Sequence, residues 1–298
     1  MEYIPFWQDK VVQKTIISRD GVPISYQSLG AGTDRVIVLA NGLGGRLYVW
    51  EPLIEKMYPE YRIITWDYRG LFESEVHSKI RRLSITNHAE DLATILDKEE
   101  IKNAVIIGWS MGVQVSLEFA YLFPEKAKKL VLINGTYGHA LSTGFQPLVR
   151  IPWLNRYLHE LIDLVKNTPI FLYLLEQQKN LKPLIWPVGI AYSYLRGNGK
   201  IKYAINQYVS DVLSTDISNY LRLFQELDAH SAYHYLREIK QPTLVIWGDL
   251  DLLTPAYQSK EIVRKMRNAK YVRFLLGTHF VLLEYPKEVS KHVADFLR

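Results

Sequence analysis

The chain contains no cysteine, and its charged residues form no run of one sign. The absence of cysteine excludes a disulfide framework, a thiolate nucleophile and a metal site built on thiolates. The 36 basic and 31 acidic residues are interspersed, so a net charge of +5 is weak evidence for an anionic partner. We therefore expect no nucleic-acid partner.

Long apolar runs are also missing. The longest uncharged apolar segment, "PLIWPVGIAYSYL" over residues 183–195, is shorter than the roughly 20 residues that span a bilayer, and it contains two prolines and a glycine. The first residues, "MEYIPFWQDKVVQK", lack a basic region followed by an apolar stretch, so no signal peptide is predicted. We expect a cytoplasmic protein without integral membrane association.

The chain has ample material for a large core. It has 298 residues, of which 48% are hydrophobic and 22% are charged, as is typical of globular proteins. There is no internal repeat and no low-complexity segment. Because this length allows one large α/β domain or two smaller ones, the organisation has to come from the pattern along the chain.

Short β-branched runs alternate with helix-sized segments in the first half of the chain. Residues 11–17 and 24–27 resemble a hairpin, with "RDGVP" supplying the turn. Further strands are predicted at 35–40, 61–66, 104–109 and 129–134. Helices are predicted at 49–57, 85–97 and 111–123. Continuous apolar strands separated by helices are typical of a parallel sheet that is covered on both faces.

The alternation stops and later resumes. Residues 136–240 are predicted to be helical only, whereas strands at 243–248 and 271–276 and helices at 257–267 and from Pro286 follow. We predict an α/β fold, with a mostly parallel twisted sheet flanked by helices. Its core domain comprises residues 1–135 and 241–298, and residues 136–240 form an inserted helical cap.

A serine stands where a predicted strand turns directly into a predicted helix. The segment is "GWSMG", from Gly108 to Gly112. Small residues on either side of such a corner allow a sharp turn that exposes the central side chain. Ser110 is therefore a candidate nucleophile, and the alternative is a small residue that merely fits a tight corner.

A serine hydroxyl needs a base to take its proton and an acid to orient that base. Loops that follow late strands of a parallel sheet converge at one edge, and two such loops read "GDLDLLTP" and "GTHF". They place Asp251 and His279 in the chain order Ser110, Asp251, His279. Asp251 could instead cap the next helix, Asp249 could be the acid, and His279 could be structural.

With these motifs the chain resembles the α/β-hydrolase family over nearly its whole length. The family's G-x-x-D-x-x-x-P stretch matches Gly248, Asp251 and Pro255, which favours Asp251 over Asp249 as the acid. The family's alternative acid position follows the sixth strand, where "NGT" at 134–136 offers no carboxylate. The family's D-x-R-G-x-G-x-S motif appears as "DYRGLFES", with Phe72 where glycine is usual.

Hydrolysis of an acyl group also requires donors for a developing oxyanion. The resemblance assigns one backbone N–H to Met111, the residue after the nucleophile. The loop "NGLGG" resembles the family's His-Gly-x turn, with Asn41 in the histidine position, and this assigns the second N–H to Leu43. The backbone N–H groups of Leu43 and Met111 are thus the predicted oxyanion hole.

The sequence predicts no metal ion and no organic cofactor. The loop "NGLGG" lacks the G-K-[ST] ending of a phosphate-binding loop, and no dinucleotide-binding G-x-G-x-x-G follows the first parallel strand. His88, Glu90 and Asp91 lie together on a predicted helix, but a structural or solvated role is favoured because no second set of ligands accompanies them.

These features predict a serine hydrolase, esterase-like or lipase-like, that cleaves a carboxylic ester or related acyl substrate through an acyl-enzyme. The aromatic residues of the predicted cap either pack within it or face an apolar acyl or aromatic small molecule. They include Trp153, Tyr157, Phe171, Tyr173, Trp186, Tyr192 and Tyr194.

Several alternatives stay open at this point. Hydrolysis of a thioester or of a carbon–carbon bond in a diketone-type substrate would use the same three side chains. A ligand receptor on the hydrolase scaffold and a protein that binds a membrane surface are the alternatives from other classes. The sequence gives no indication of the oligomeric state.

Overall fold

The computed structural model of the protein describes residues 3–30, 34–74, 82–144, 154–168, 170 and 199–298. Eight strands form one sheet. They are β1 (Val11–Ile17), β2 (Pro23–Leu29), β3 (Val36–Ala40), β4 (Arg62–Trp66), β5 (Ala104–Trp109), β6 (Ala127–Ile133), β7 (Thr243–Gly248) and β8 (Ala269–Phe274). Each predicted strand is confirmed, with ends shifted by at most two residues.

The strand order is β1-β2-β4-β3-β5-β6-β7-β8. Every neighbouring pair from β4 to β8 is parallel, whereas β2 pairs antiparallel with both β1 and β4. The predicted fold class, a mostly parallel sheet flanked by helices, is therefore confirmed. Because the strands from β3 to β8 run in one direction, the loops that follow them lie at one edge of the sheet.

Helices cover both faces of this sheet. They are α1 (Glu51–Met57), α2 (Ile85–Lys98), α3 (Met111–Leu122), α4 (Ala140–Thr143), α5 (Leu154–Asn167), α6 (Gly199–Ser214), α7 (Ile217–Ala229), α8 (Ala256–Lys265), α9 (Val281–Glu284) and α10 (Pro286–Leu297). The Ser84 hydroxyl caps α2 by accepting a hydrogen bond from the Asn87 N–H. Proline occupies the first turn of α10, where no backbone donor is needed.

Successive residues of the central strands enter two different apolar clusters. Val38 and Ile106 pack in the cluster that includes α2 and α3, whereas Ile37 and Ile107 pack in the cluster that includes α1 and α10. All four side chains are fully buried. This two-sided burial is the reason for the continuous apolar runs in the sequence, since a strand with one solvated face would alternate apolar and polar residues.

The described part of residues 136–240 contains the helices α4 to α7 and one isolated bridge, between Gly138 and Ser231. Helix α6 packs on the loop after β3. The contact is close, since a Cβ atom built on Gly44 would stand 2.6 Å from Val212 Cγ2. The division of the chain into a core and a cap stays a prediction.

Most of the aromatic residues predicted to pack in the cap or to face the substrate lie outside the described residues. Tyr157 is described, and it is 64% exposed. Those outside are Trp153, Phe171, Tyr173, Trp186, Tyr192 and Tyr194. The apolar segment 183–195 also lies outside. Across the described ranges, no helix combines the length and the apolarity required to cross a bilayer.

The "DYRGLFES" segment is anchored by a buried ion pair. Arg69, only 1% exposed, donates two hydrogen bonds of 2.6 Å to Asp91 and also contacts Asp20 at 2.7 and 2.8 Å. Burial, followed by the charge of Arg69, lowers the pKa of the neighbouring His88 to about 3, so this histidine is neutral. The described residues contain no group of three or more histidine, aspartate or glutamate side chains arranged to hold a metal ion.

Phe72, which replaces the family's usual glycine in that segment, has a φ of +51°. Glycine is usual there because this left-handed region is unfavourable for a residue with a Cβ atom. The guanidinium of Arg46 lies over the Phe72 ring, 4.7 Å from its centroid. That cation–π contact offsets part of the backbone cost.

Candidate active site

Ser110 stands at the corner between β5 and α3 with a φ of +56° and a ψ of −116°. Such a conformation costs a non-glycine residue on the order of 1–3 kcal/mol and is kept only where the surrounding structure imposes it. Here the close packing of β5, α3 and β3 imposes it, and the two flanking glycines make that packing possible. A Cβ atom on Gly108 would stand 2.5 Å from Ser116 Oγ, and one on Gly112 would overlap the carbonyl of Ala40 in β3.

His279 follows β8 and reaches the serine. Its Nε2 atom lies 2.9 Å from Ser110 Oγ, and the side chain is 9% exposed. The indole Nε1–H of Trp109 donates to the carbonyl oxygen of His279 at 3.1 Å, and the two rings pack with centroids 5.7 Å apart. The residue that precedes the serine therefore holds the backbone and the ring of the histidine.

Asp251 orients the other side of the imidazole. Its Oδ2 atom lies 2.9 Å from His279 Nδ1. The carboxylate also accepts hydrogen bonds from its own turn, from the Leu253 N–H at 2.9 Å and from the Thr254 N–H and hydroxyl at 2.8 and 2.7 Å. The side-chain amide of Asn134 donates a further bond at 2.6 Å. Burial alone would raise the pKa of Asp251, but the charge of His279 and these hydrogen bonds hold it below the usual value. The carboxylate is therefore ionised.

Asp249 and Asp251, the two candidate acids, differ in their contacts with the imidazole. Asp249 accepts a hydrogen bond from the Trp247 indole at 2.9 Å, so it is engaged away from the imidazole. Asp251 does accept two backbone N–H groups in the turn before α8, as a capping residue would, but the N-cap of α8 itself is Pro255. The same carboxylate thus organises its own turn and faces the histidine.

The loop after β3 packs against the serine. A Cβ atom on Gly42 would lie 3.2 Å from Ser110 Cβ. Asn41, in the family's histidine position, donates to the Thr65 hydroxyl and to the Trp66 carbonyl and accepts from the Trp50 indole, which ties the loop to its neighbours. Leu43 follows Gly42, and Met111 follows Ser110, so both proposed oxyanion donors lie next to the contact between this loop and the serine.

Sequence reasoning missed three residues that support this arrangement. Asn134 follows β6, the family's alternative acid position, so a search there for any polar side chain would have found it. Thr254 lies three residues after Asp251, a spacing at which side chains often bond within an Asp turn. Trp109 carries no sequence signal for its contact with His279, because that contact depends on how β5 and β8 are placed in the sheet.

The family model of the alpha/beta hydrolase fold matches residues 35–286. The chain belongs to the alpha/beta hydrolase family, as its motifs predict.

Individual relatives are more distant. "Putative carbamate hydrolase RutD" of Rhizobium rhizogenes is 27% identical over 89% of this chain and 93% of its own length. "Uncharacterized hydrolase YugF" of Bacillus subtilis is 25% identical over 94% of this chain and 96% of its own. The crystal structure of an enol-lactonase from Burkholderia xenovorans superposes with a TM-score of 0.74 at 22% identity, covering 95% of this chain and 99% of that one. That last likeness concerns the fold.

Proposed function

We propose that the protein is a serine hydrolase that cleaves a carboxylic ester or a related acyl substrate through an acyl-enzyme on Ser110. The observation that carries the proposal is the continuous hydrogen-bonded series from Ser110 Oγ to His279 Nε2 and from His279 Nδ1 to Asp251, each contact 2.9 Å long. This series matches what a hydroxyl needs to become a nucleophile, namely a base in contact and an acid that orients the base.

In the proposed reaction, His279 Nε2 takes the hydroxyl proton while Ser110 Oγ attacks the carbonyl carbon. Asp251 keeps the other ring nitrogen protonated and stabilises the imidazolium. The N–H groups of Leu43 and Met111 donate to the tetrahedral oxyanion. His279 then gives its proton to the leaving group, and it later removes one from the water that attacks the acyl-enzyme.

The substrate is proposed to be a small apolar acyl or aromatic molecule. Supporting this, the helices α6 and α7 bring apolar and aromatic side chains, among them Val212 and Tyr220, onto the loop beside Ser110. The carbonyl of a carbamate, the substrate class in one relative's name, is open to the same attack. Thioesters and diketone-type carbon–carbon bonds are the further candidates, since they need the same three side chains.

Labelling with a fluorophosphonate tests the nucleophile. This reagent reacts covalently with an activated serine, so peptide mapping is expected to find the label on Ser110. A label on another residue, or none, would overturn the proposal. Labelled protein that shows no multiple turnover on any substrate would favour the receptor alternative. A series of esters, thioesters and carbamates of matched acyl length, ranked by kcat/KM, would then identify the substrate class.

Replacing Asn134 with alanine is expected to lower kcat/KM for the best ester about tenfold. The substitution removes the 2.6 Å bond to Asp251 and the 3.0 Å bond to the Thr278 carbonyl, and a hydrogen bond to a charged group contributes about 1.5–3 kcal/mol. The matched control is Asn268→Ala, whose amide bonds the Lys240 carbonyl at an exposed site. If both variants kept the wild-type kcat/KM, Asn134 would have no part in holding the carboxylate.

A further inference from the structure

We infer that Tyr208, on α6, is a positioning residue for the predicted oxyanion turn. Its hydroxyl lies 3.1 Å from the carbonyl oxygen of Leu43, the residue whose N–H is the proposed donor from this loop. The inference rests on the proposed function, and it adds that the helical segment after β6 contributes directly to the geometry of the reaction.

Residues 42–45 form a type II turn. The Gly45 N–H donates to the Gly42 carbonyl at 2.9 Å, φ is negative at Leu43, and Gly44 has a φ of +76°. Type I and type II turns differ mainly in the direction of the central peptide plane, here the one between Leu43 and Gly44. A glycine in the third position makes both forms accessible, so something else has to select one.

Tyr208 selects the type II form by binding the carbonyl oxygen of that central peptide. The two peptide planes that flank Leu43 are then both held, the first by the turn's own hydrogen bond and the second by Tyr208. A second tyrosine, Tyr48, places its hydroxyl 3.3 Å from the Gly44 carbonyl. With the planes on both sides fixed, the Leu43 N–H has a set direction before substrate binds, which is what oxyanion stabilisation requires.

The direction of the hydrogen bond between Tyr208 and Leu43 follows from the chemistry of its acceptor. A carbonyl oxygen only accepts, so Tyr208 must donate to Leu43. The Tyr208 hydroxyl also contacts the hydroxyl of Tyr220 on α7. Burial raises the pKa of both hydroxyls, that of Tyr220 to about 12. The Tyr208 hydroxyl thus stays protonated at neutral pH, and its hydrogen bond to the turn persists.

The ring of Tyr208 is held on the same side as the reacting groups. It packs edge-on against Trp109, with centroids 6.0 Å apart, and against Phe280 at 6.1 Å. These are the neighbours of Ser110 and His279 along the chain. Removing the hydroxyl alone leaves this packing in place, so its role can be separated from that of the ring.

Tyr208→Phe is the test. For the best ester substrate, kcat is expected to fall about three- to tenfold while KM is unchanged, because the lost bond orients a donor used chiefly in the transition state. A trifluoromethyl ketone, which forms a tetrahedral adduct on an activated serine, is expected to bind more weakly by the same factor. Tyr220→Phe is expected to have a smaller effect, since Tyr208 still donates to Leu43.

Tyr203→Phe is the matched control, because it makes the same change on the same helix at a ring that packs on Tyr3. Its kcat and inhibitor affinity are expected to equal those of the wild type. A Tyr208→Phe variant with unchanged kcat, or with a raised KM and unchanged inhibitor affinity, would overturn the inference alone. Failure of the wild-type protein to be labelled at Ser110 would overturn the proposed function and this inference with it.

Discussion

Ser110→Ala is expected to lower the turnover of short p-nitrophenyl esters by about 10⁴-fold or more. The substitution removes the oxygen that would attack the carbonyl and leaves His279 without the hydroxyl that lies 2.9 Å from it. Losses of this size follow removal of the nucleophile in enzymes with a serine, histidine and aspartate, because the remaining groups cannot form the acyl-enzyme. Initial rates and burst amplitudes measure the effect.

The folded structure of the Ser110→Ala variant is expected to be unchanged. Alanine and serine carry the same cost at a φ of +56°, so thermal unfolding should occur near the wild-type temperature. Ser290→Ala is the matched control, since within the described residues the Ser290 hydroxyl is buried without a hydrogen-bond partner. A Ser110→Ala protein with wild-type turnover would mean that another residue is the nucleophile.

Gly112→Ala is expected to destabilise the protein by about 3 kcal/mol or more. The new Cβ atom would overlap the Ala40 carbonyl, standing 2.6 Å from its carbon and 2.9 Å from the Asn41 oxygen. All of these atoms belong to the backbone, so α3 would have to move away from β3, and overpacking of this kind typically costs about 1–3 kcal/mol even where side chains can adjust. Thermal unfolding should fall by roughly 6–12 °C.

Gly199→Ala provides the comparison for that variant. Gly199 begins α6, and a Cβ atom built there meets none of the described atoms within 4 Å. Alanine is also the better helix former, so the free energy of unfolding should stay equal or rise by up to about 1 kcal/mol. Equal unfolding temperatures for Gly112→Ala and Gly199→Ala would show that β3 and α3 are not packed as closely as the structure has them.

The predictions from sequence were accurate wherever a local pattern carries the information. Apolar runs such as 104–109 predicted strands within two residues of their ends, because a strand buried on both faces must be apolar throughout. The sharp turn at Ser110 between β5 and α3 was also predicted, because its flanking positions, Gly108 and Gly112, have no room for a side chain and therefore carry a recognisable glycine pattern. The loops that carry Asp251 and His279 were found because chain order and strand direction together place them at one edge.

What the sequence by itself determined is therefore the set of elements, their parallel arrangement and the three candidate side chains. Only the tertiary structure decided which neighbours support them. The local motif favours Asp251 over Asp249, but only the tertiary structure shows which carboxylate contacts His279, because that contact requires β7 and β8 to lie side by side.

Only the tertiary structure likewise shows the hydrogen bonds from Asn134 to Asp251 and from Tyr208 to Leu43, because the residues of each pair are more than a hundred positions apart in the chain. The physical reason is that periodicity and turn chemistry act between residues a few positions apart, and so they can be read along the chain. A hydrogen bond between distant residues depends on packing to within a few tenths of an ångström, and that distance exists only in the folded molecule.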